Sequence, residues 1–375
     1  MNLCPVLFTI ASVFVLAGNA GAQETPDAAS AAAPPLGLLD RVAQAKKALA
    51  ASPLQPSAVG SDDAVLAVWD GTDQGEVAIV ALRRGKSRAP AYAFVRERLN
   101  GLNTTYVVTQ PAGGVVLAVK AKVCGRQGCR RPATVVYAPY SPGLHTPETV
   151  AAGRAYLDQV LAGAAADLDR RGTFSRALDG EPVSAAVSPR ILAALLIVEH
   201  AASDRIAAVG IQRVVEQVLV TLALNGEDAY DRAVSRARAQ GLAQFIRRSY
   251  RETRLRYPKA GIAADYDAGT ADHLNAVKAA YCLADWSLTE LRPETLDDLR
   301  LPGFEEDLGA FVAAAYNGGE ERAARALYRR PGEWEKPHRG LYRETVGYVR
   351  VFREVYRFLN RSEAAPSATD ATFDP

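Results

Sequence analysis

Near Thr146 the hydrophobic pattern changes period, and that switch limits the possible folds more than any other feature of the chain. Upstream, short runs rich in Val, Ala and Tyr alternate with turn residues: 64–69, 76–82, 91–95, 104–109, 115–123 and 134–137. Runs of this length carry strand periodicity, and Gly71, Gly85, Gly101 and the Gly113-Gly114 pair fall where hairpins need them. Downstream, apolar residues recur at helical spacing until about Asn360, with Pro147 at the first position of the first helix. Strands followed by helices, rather than interleaved with them, predict an α+β chain: a small N-terminal antiparallel β domain over 61–145, then a mostly α domain over 146–360. Helices are expected at about 147–171, 189–202, 206–224, 227–239, 242–256, 270–286, 305–316, 319–329 and 341–360.

The ends read differently. Pro5 to Gly18 is an apolar run too short to span a bilayer comfortably, and Ala20-Gly21-Ala22 has the small residues of a cleavage site. Residues 1–22 are therefore expected to be a signal peptide and the product periplasmic. The n-region has no Lys or Arg, which leaves an uncleaved N-terminal anchor as the alternative. Residues 23–60 are rich in Ala, Pro and Ser around one helical stretch near 36–51 and read as a flexible spacer; 361–375 reads as a disordered tail. A net charge of +2 gives no reason to expect nucleic-acid binding, and the arginines at 236 and 247–256 suit solvated helix faces.

An exported chain can form disulfides. Cys124 and Cys129 flank a segment with two glycines, so a bridge closing a β-hairpin is expected there; a metal knuckle would need a second Cys or His pair nearby, and the sequence has none. Cys282, in an apolar helical pattern, is expected to be a buried free thiol. His145, His200, His273 and His338 lack ligand spacing, so neither metal nor cofactor is expected.

Ser188-Pro189 opens a helix whose body, Ile191 to Val198, is wholly apolar before it reaches Glu199. Either the helix emerges there and Glu199 meets solvent, or the carboxyl sits in apolar surroundings that raise its pKa and keep it protonated, as a general acid requires. Two later segments bear on the choice. Ser235 to Ile246 places Ser235 and Gln244 around Gly241, where the backbone can approach a neighbour closely. Ala313 to Gly319 ends a helix in Tyr316-Asn317-Gly318-Gly319, a stacking face beside an amide that donates and accepts. Taken singly, these read equally well as a helix junction and a C-cap.

In that order, and followed by Glu344-Thr345 and Tyr348, these segments resemble the soluble lytic transglycosylase domain of the goose-type lysozyme-like superfamily. The gap from Glu199 to Ser235 is longer than in that domain and is more similar to membrane-bound lytic transglycosylase B, as are Thr221 to Asn225, the Gly241 to Phe245 segment and Ser249-Tyr250. The resemblance covers about 185–358 and leaves the β domain unexplained. It departs from the soluble family at His200, where Ser usually follows the acid, and at Ala243, where Met usually precedes the Gln.

The resemblance implies a lysozyme-like fold and an enzyme acting on peptidoglycan glycan strands. Glu199 would be acid and then base, Ser235 and Gln244 would bond the sugar, Tyr316 and Asn317 would line the cleft and orient the sugar, and Glu344 and Tyr348 would bind substrate or instead brace helices. It also leaves two other readings open: a muramidase that admits water, and a non-catalytic envelope protein that recruits a protein partner through the β domain.

Overall fold

A computed structural model describes residues 37–72, 75–98, 101–125, 128–337 and 340–361. The expected signal segment 1–22, the first part of the expected spacer, His338 and nearly all of the expected C-terminal tail lie outside the described residues. The chain opens with helix α1 (Leu38–Ala51). Strands β1 (Ala64–Trp69), β2 (Val77–Arg83), β3 (Lys86–Ser87), β4 (Ala93–Arg98), β5 (Thr105–Gln110), β6 (Val115–Gly125) and β7 (Gly128–Tyr137) follow. All pairings between these strands are antiparallel, in a five-stranded sheet of order β3-β2-β1-β6-β7 and a separate β4-β5 pair. The helices are α2 (Pro147–Arg170), α3 (Pro189–Val198), α4 (Ser203–Val209), α5 (Ile211–Asn225), α6 (Arg247–Arg256), α7 (Tyr266–Ala271), α8 (His273–Leu288), α9 (Pro293–Leu299), α10 (Glu305–Gly318), α11 (Glu320–Arg329) and α12 (Arg343–Arg361). The architecture is α+β.

Strand alternation explains how one sheet serves two cores. Along β1, Val65 and Ala67 face one way and Ala64, Leu66 and Val68 the other, and all are buried. The first face packs on Val42, Ala45 and Leu49 of α1 and on Val220 and Leu224 of α5. The second packs on Tyr106 and Val108 of β5. On β6, Leu117 and Ala118 both join the first core, because a register shift between Ala67 and Val68 reverses the alternation there.

The segment read as a spacer is therefore integral from Leu38 onward. Its apolar residues recur at helical spacing and find a partner in the sheet, with which α1 shares a core.

The strand region is also joined to the helices. Asn225, ending α5, accepts from Ala138 N–H at 2.9 Å and donates to Ala138 C=O at 2.9 Å, so one amide pairs with both backbone groups just beyond β7. The described residues form one compact unit, and no helix among them is long and apolar enough to cross a membrane.

The helical core surrounds α3. Ser188 caps it, accepting from Ile191 N–H at 3.3 Å, and every residue from Ile191 to Val198 is buried. A helix apolar on all sides needs neighbours on all sides. Helices α2, α10 and α12 pack against it. Gly309 of α10 lets Phe352 of α12 and Ile191 of α3 come so close that a Cβ would sit 2.6 Å from the Phe352 ring.

Several expected helices are corrected, that over 206–224 being broken at Gly210 into α4 and α5. The helix from 189 does not reach 202: His200 and Ala201 N–H turn back to Ile197 and Val198 C=O, and Ala202 is extended. Over 227–239, where Ala and Arg favour a helix, the chain forms a looped segment with bridges Val234–Gln240 and Gln240–Phe245. Tyr230, Arg238 and Gln244 adopt positive φ (61°, 63° and 43°), which a continuous α-helix excludes. The anchor is Gly241, at φ 74°, where an added Cβ would lie 1.9 Å from the Thr270 carbonyl oxygen. Tertiary packing overrides propensity here, and α6 begins at Arg247 instead of 242.

Candidate active site

Glu199 is the C-cap of α3, with its N–H still bonded to Leu195 C=O at 3.2 Å, so the rigid central helix fixes where the carboxyl points. It is half-buried. Tyr348 of α12 donates its hydroxyl to Glu199 Oε1 at 2.5 Å, and no cation among the described residues pairs with this acid. Burial pushes the Glu199 pKa up to about 7, against the smaller opposing effect of the Tyr348 bond. Burial, and then the nearby Glu199 charge, lifts Tyr348 and Tyr316 well above the ordinary tyrosine value, so both hydroxyls stay protonated donors.

The carboxyl lines a cleft of about 980 Å³ with two walls. One is the segment after Glu199 and the 230–244 loop, including Ser235 and Gln244; the other is the strand region, including Asn103, Lys122 and Tyr137. Sequence reasoning about the helical part alone could not find that second wall, because it comes from residues far upstream.

Tyr316 ends near the acid and donates to Ala243 C=O at 2.5 Å, tying α10 to the loop. Within the loop, Ser235 Oγ accepts from Ala239 N–H at 3.0 Å, and Gln244 donates to Gly241 C=O at 2.8 Å. Both side chains hold the loop's strained shape.

Asn317 and Glu344 lie elsewhere. With Tyr348 they line a separate cavity of about 570 Å³, and Asn317 accepts from Thr345 Oγ1 at 2.8 Å, which braces α10 against α12. Of the catalytic and sugar-binding residues singled out from sequence, the structure therefore brings Tyr348 and Tyr316 beside Glu199, but only Glu199, Ser235 and Gln244 line the large cleft; Tyr316, expected there, does not. It sets Asn317 and Glu344 apart from that cleft.

His200 is a neutral structural imidazole. Its Nε2 bonds Leu242 C=O at 2.8 Å, its ring stacks on Tyr230 with centroids 3.7 Å apart, and burial lowers its pKa to about 4. A serine at this position could not form that stack. Sequence reasoning also missed Asp231, a second carboxylate on the cleft, 3.7 Å from Arg232 Nε. It sits in the segment misread as a helix, where nothing in the local pattern distinguishes it.

Cys124 and Cys129 are disulfide-bonded across the β6-β7 hairpin, with Cα atoms 4.4 Å apart, and Cys124 reaches the cleft wall. Cys282 is a buried free thiol whose pKa burial raises. Among the described residues no group of three or more His, Cys, Asp or Glu side chains is placed to hold a metal ion. Comparison with protein-family models, with curated proteins and with solved structures finds no match.

Proposed function

We propose that the protein is a peptidoglycan lytic transglycosylase with a lysozyme-like helical body, acting in the periplasm on glycan strands. The observation that carries this reading is Glu199: a half-buried carboxyl without a cationic partner, with a pKa near 7, at the end of a rigid helix and on a cleft large enough for sugar rings. A carboxyl poised near neutral pH can give up a proton and take one back within a turnover. The disulfide supports an oxidising compartment.

In the proposed reaction, the Glu199 carboxylic acid protonates the oxygen joining N-acetylmuramic acid to N-acetylglucosamine as the muramyl C1–O bond breaks. The resulting carboxylate then takes the proton from the muramyl C6 hydroxyl while that oxygen bonds to C1. Glu199 is left protonated, the product ends in a 1,6-anhydro ring, and no water is consumed. An internal nucleophile removes the need for a second catalytic carboxylate. Tyr348, by donating to Oε1, stabilises the ionised half of the cycle.

Purified wall digested by wild type and by Glu199→Gln tests this. The wild type is expected to release anhydro-muropeptides, and the variant to lose cleavage. Lysis retained by Glu199→Gln overturns the reading. Asp231 favours one second reading, hydrolysis, in which it would activate a water on the same cleft. Products one water heavier, lost in Asp231→Asn, would select that course.

A further inference from the structure

Beside the Glu199 cleft lies a smaller cavity of about 360 Å³ that shares Asn103, His200, Ala202 and Tyr230 with it, so the His200–Tyr230 stack borders both. It is lined by Arg205 of α4, Arg213 and Gln217 of α5, Tyr140, and Glu97 of β4.

Among the described residues the two guanidiniums here have no acidic partner. Arg205 Nη2 donates only to the neutral Gln217 amide oxygen at 3.3 Å, and its Nε is buried with no hydrogen-bond partner. Arg213 lies over the Tyr140 ring, 6.0 Å from its centroid. The nearest acid on α5, Glu216, is occupied by His145 at 2.9 Å and by Gln212 at 2.9 Å. Glu97, on the strand side, is exposed and forms no ion pair among the described residues. A buried guanidinium N–H without an acceptor is costly, whereas the planar fork of donors matches a carboxylate.

Resting on the reading of the cleft as a glycan site, we propose that this cavity is a carboxylate-binding subsite. Arg205 and Arg213 would hold a free carboxylate of the peptide stem attached to the muramyl sugar. The cavity lies directly beyond the stack that borders the catalytic cleft, so a stem leaving the bound sugar has a built destination. Gln217 orients Arg205, and the Tyr140 ring supports Arg213.

Two measurements on the full chain test the proposal. The first is calorimetric binding of N-acetylmuramyl-L-alanyl-D-glutamic acid, and of its fully amidated form, to Glu199→Gln protein. Adding Arg205→Gln and Arg213→Gln should weaken binding of the acid at least about tenfold, because the charge-assisted hydrogen bonds to the carboxylate are lost. The amidated form should bind weakly and equally to both proteins. An Arg205→Lys/Arg213→Lys pair keeps the charge without the fork, guards against misfolding as the cause, and should fall between. Equal binding of acid and amide, or no change in the Gln variant, overturns the proposal.

The second is the ratio of kcat/KM on stem-bearing glycan to that on amidase-stripped glycan, which should fall about tenfold in the double Gln variant, chiefly through KM. An unchanged ratio also overturns it. If Glu199→Gln still cleaves wall, the catalytic reading fails, and the binding experiment still decides the subsite.

Discussion

Two carboxyl groups in the helical body are withdrawn from water, and their environments push them in opposite directions. Asp167, on α2, is surrounded by cations: Lys278 Nζ at 2.8 Å, Arg171 Nε at 2.7 Å, and Arg170. Hydrogen bonds from Lys278 and Arg171 hold its pKa down to about 2. Glu199, at the end of α3, meets a single tyrosine hydroxyl and rises to about 7. Burial raises the pKa of both acids; the cations around Asp167 reverse that, and a lone tyrosine hydroxyl does not. The Asp167 cluster joins α2 to α8 and to the turn at Gly261, whose carbonyl Lys278 also reaches at 3.3 Å. The Glu199 region leaves its acid unpaired beside a cleft.

This contrast can be broken by substitution. The largest expected effect is on turnover: Glu199→Gln should lower glycan cleavage by about a thousandfold, measured as anhydro-muropeptide release. Next is stability. Asp167→Leu strands the Lys278 ammonium, which is only 6% exposed, and should cost about 3–5 kcal/mol in urea unfolding. Replacing both partners, as Asp167→Leu/Lys278→Met, should restore most of that; a double variant no better than the single would show that the pair is not the source.

The pH dependences should run in opposite senses. Asp167 has a depressed folded pKa, so its contribution is full above the unfolded value near 4 and is lost as pH falls toward 2. Glu199 has a raised one, so its native state is favoured below about 4.5 and loses that advantage as pH rises through 7. Glu199→Gln should therefore be more stable than wild type by on the order of 2 kcal/mol above pH 7, with the gain fading toward pH 4. The smallest effect belongs to Tyr348→Phe, which removes the bond favouring ionised Glu199. It should slow cleavage about tenfold and move the alkaline fall in rate to higher pH. A shift to lower pH would contradict the assigned donor direction.

How far the sequence revealed this depended on how local each cause was. The switch near Thr146 was legible because strand and helix periods are short-range. Glu199 stood out because one charge ended an otherwise apolar helix. Tyr348 emerged only through the family resemblance, since its carboxylate partner is 149 positions away in the chain. The Ala and Arg content of 227–239 favours a helix, while the cause of its real shape is a tertiary approach of Gly241 to Thr270. Helix α1 was visible as a helix but read as spacer, because the sheet that covers it lies beyond an intervening stretch of chain. Asp231 and Lys122 carried no signal, as only the assembled cleft brings strand and loop together.

The paired bonds between Asn225 and Ala138 have a mechanical consequence. Tyr137, the residue beside this clasp, belongs to the cleft wall, so that wall is tied to the far end of α5 by two bonds from one amide as well as by the apolar packing of Val220 and Leu224. The wall cannot swing outward without severing both bonds. It behaves as a fixed jaw, seated on the same helix that helps to close the sheet's first core.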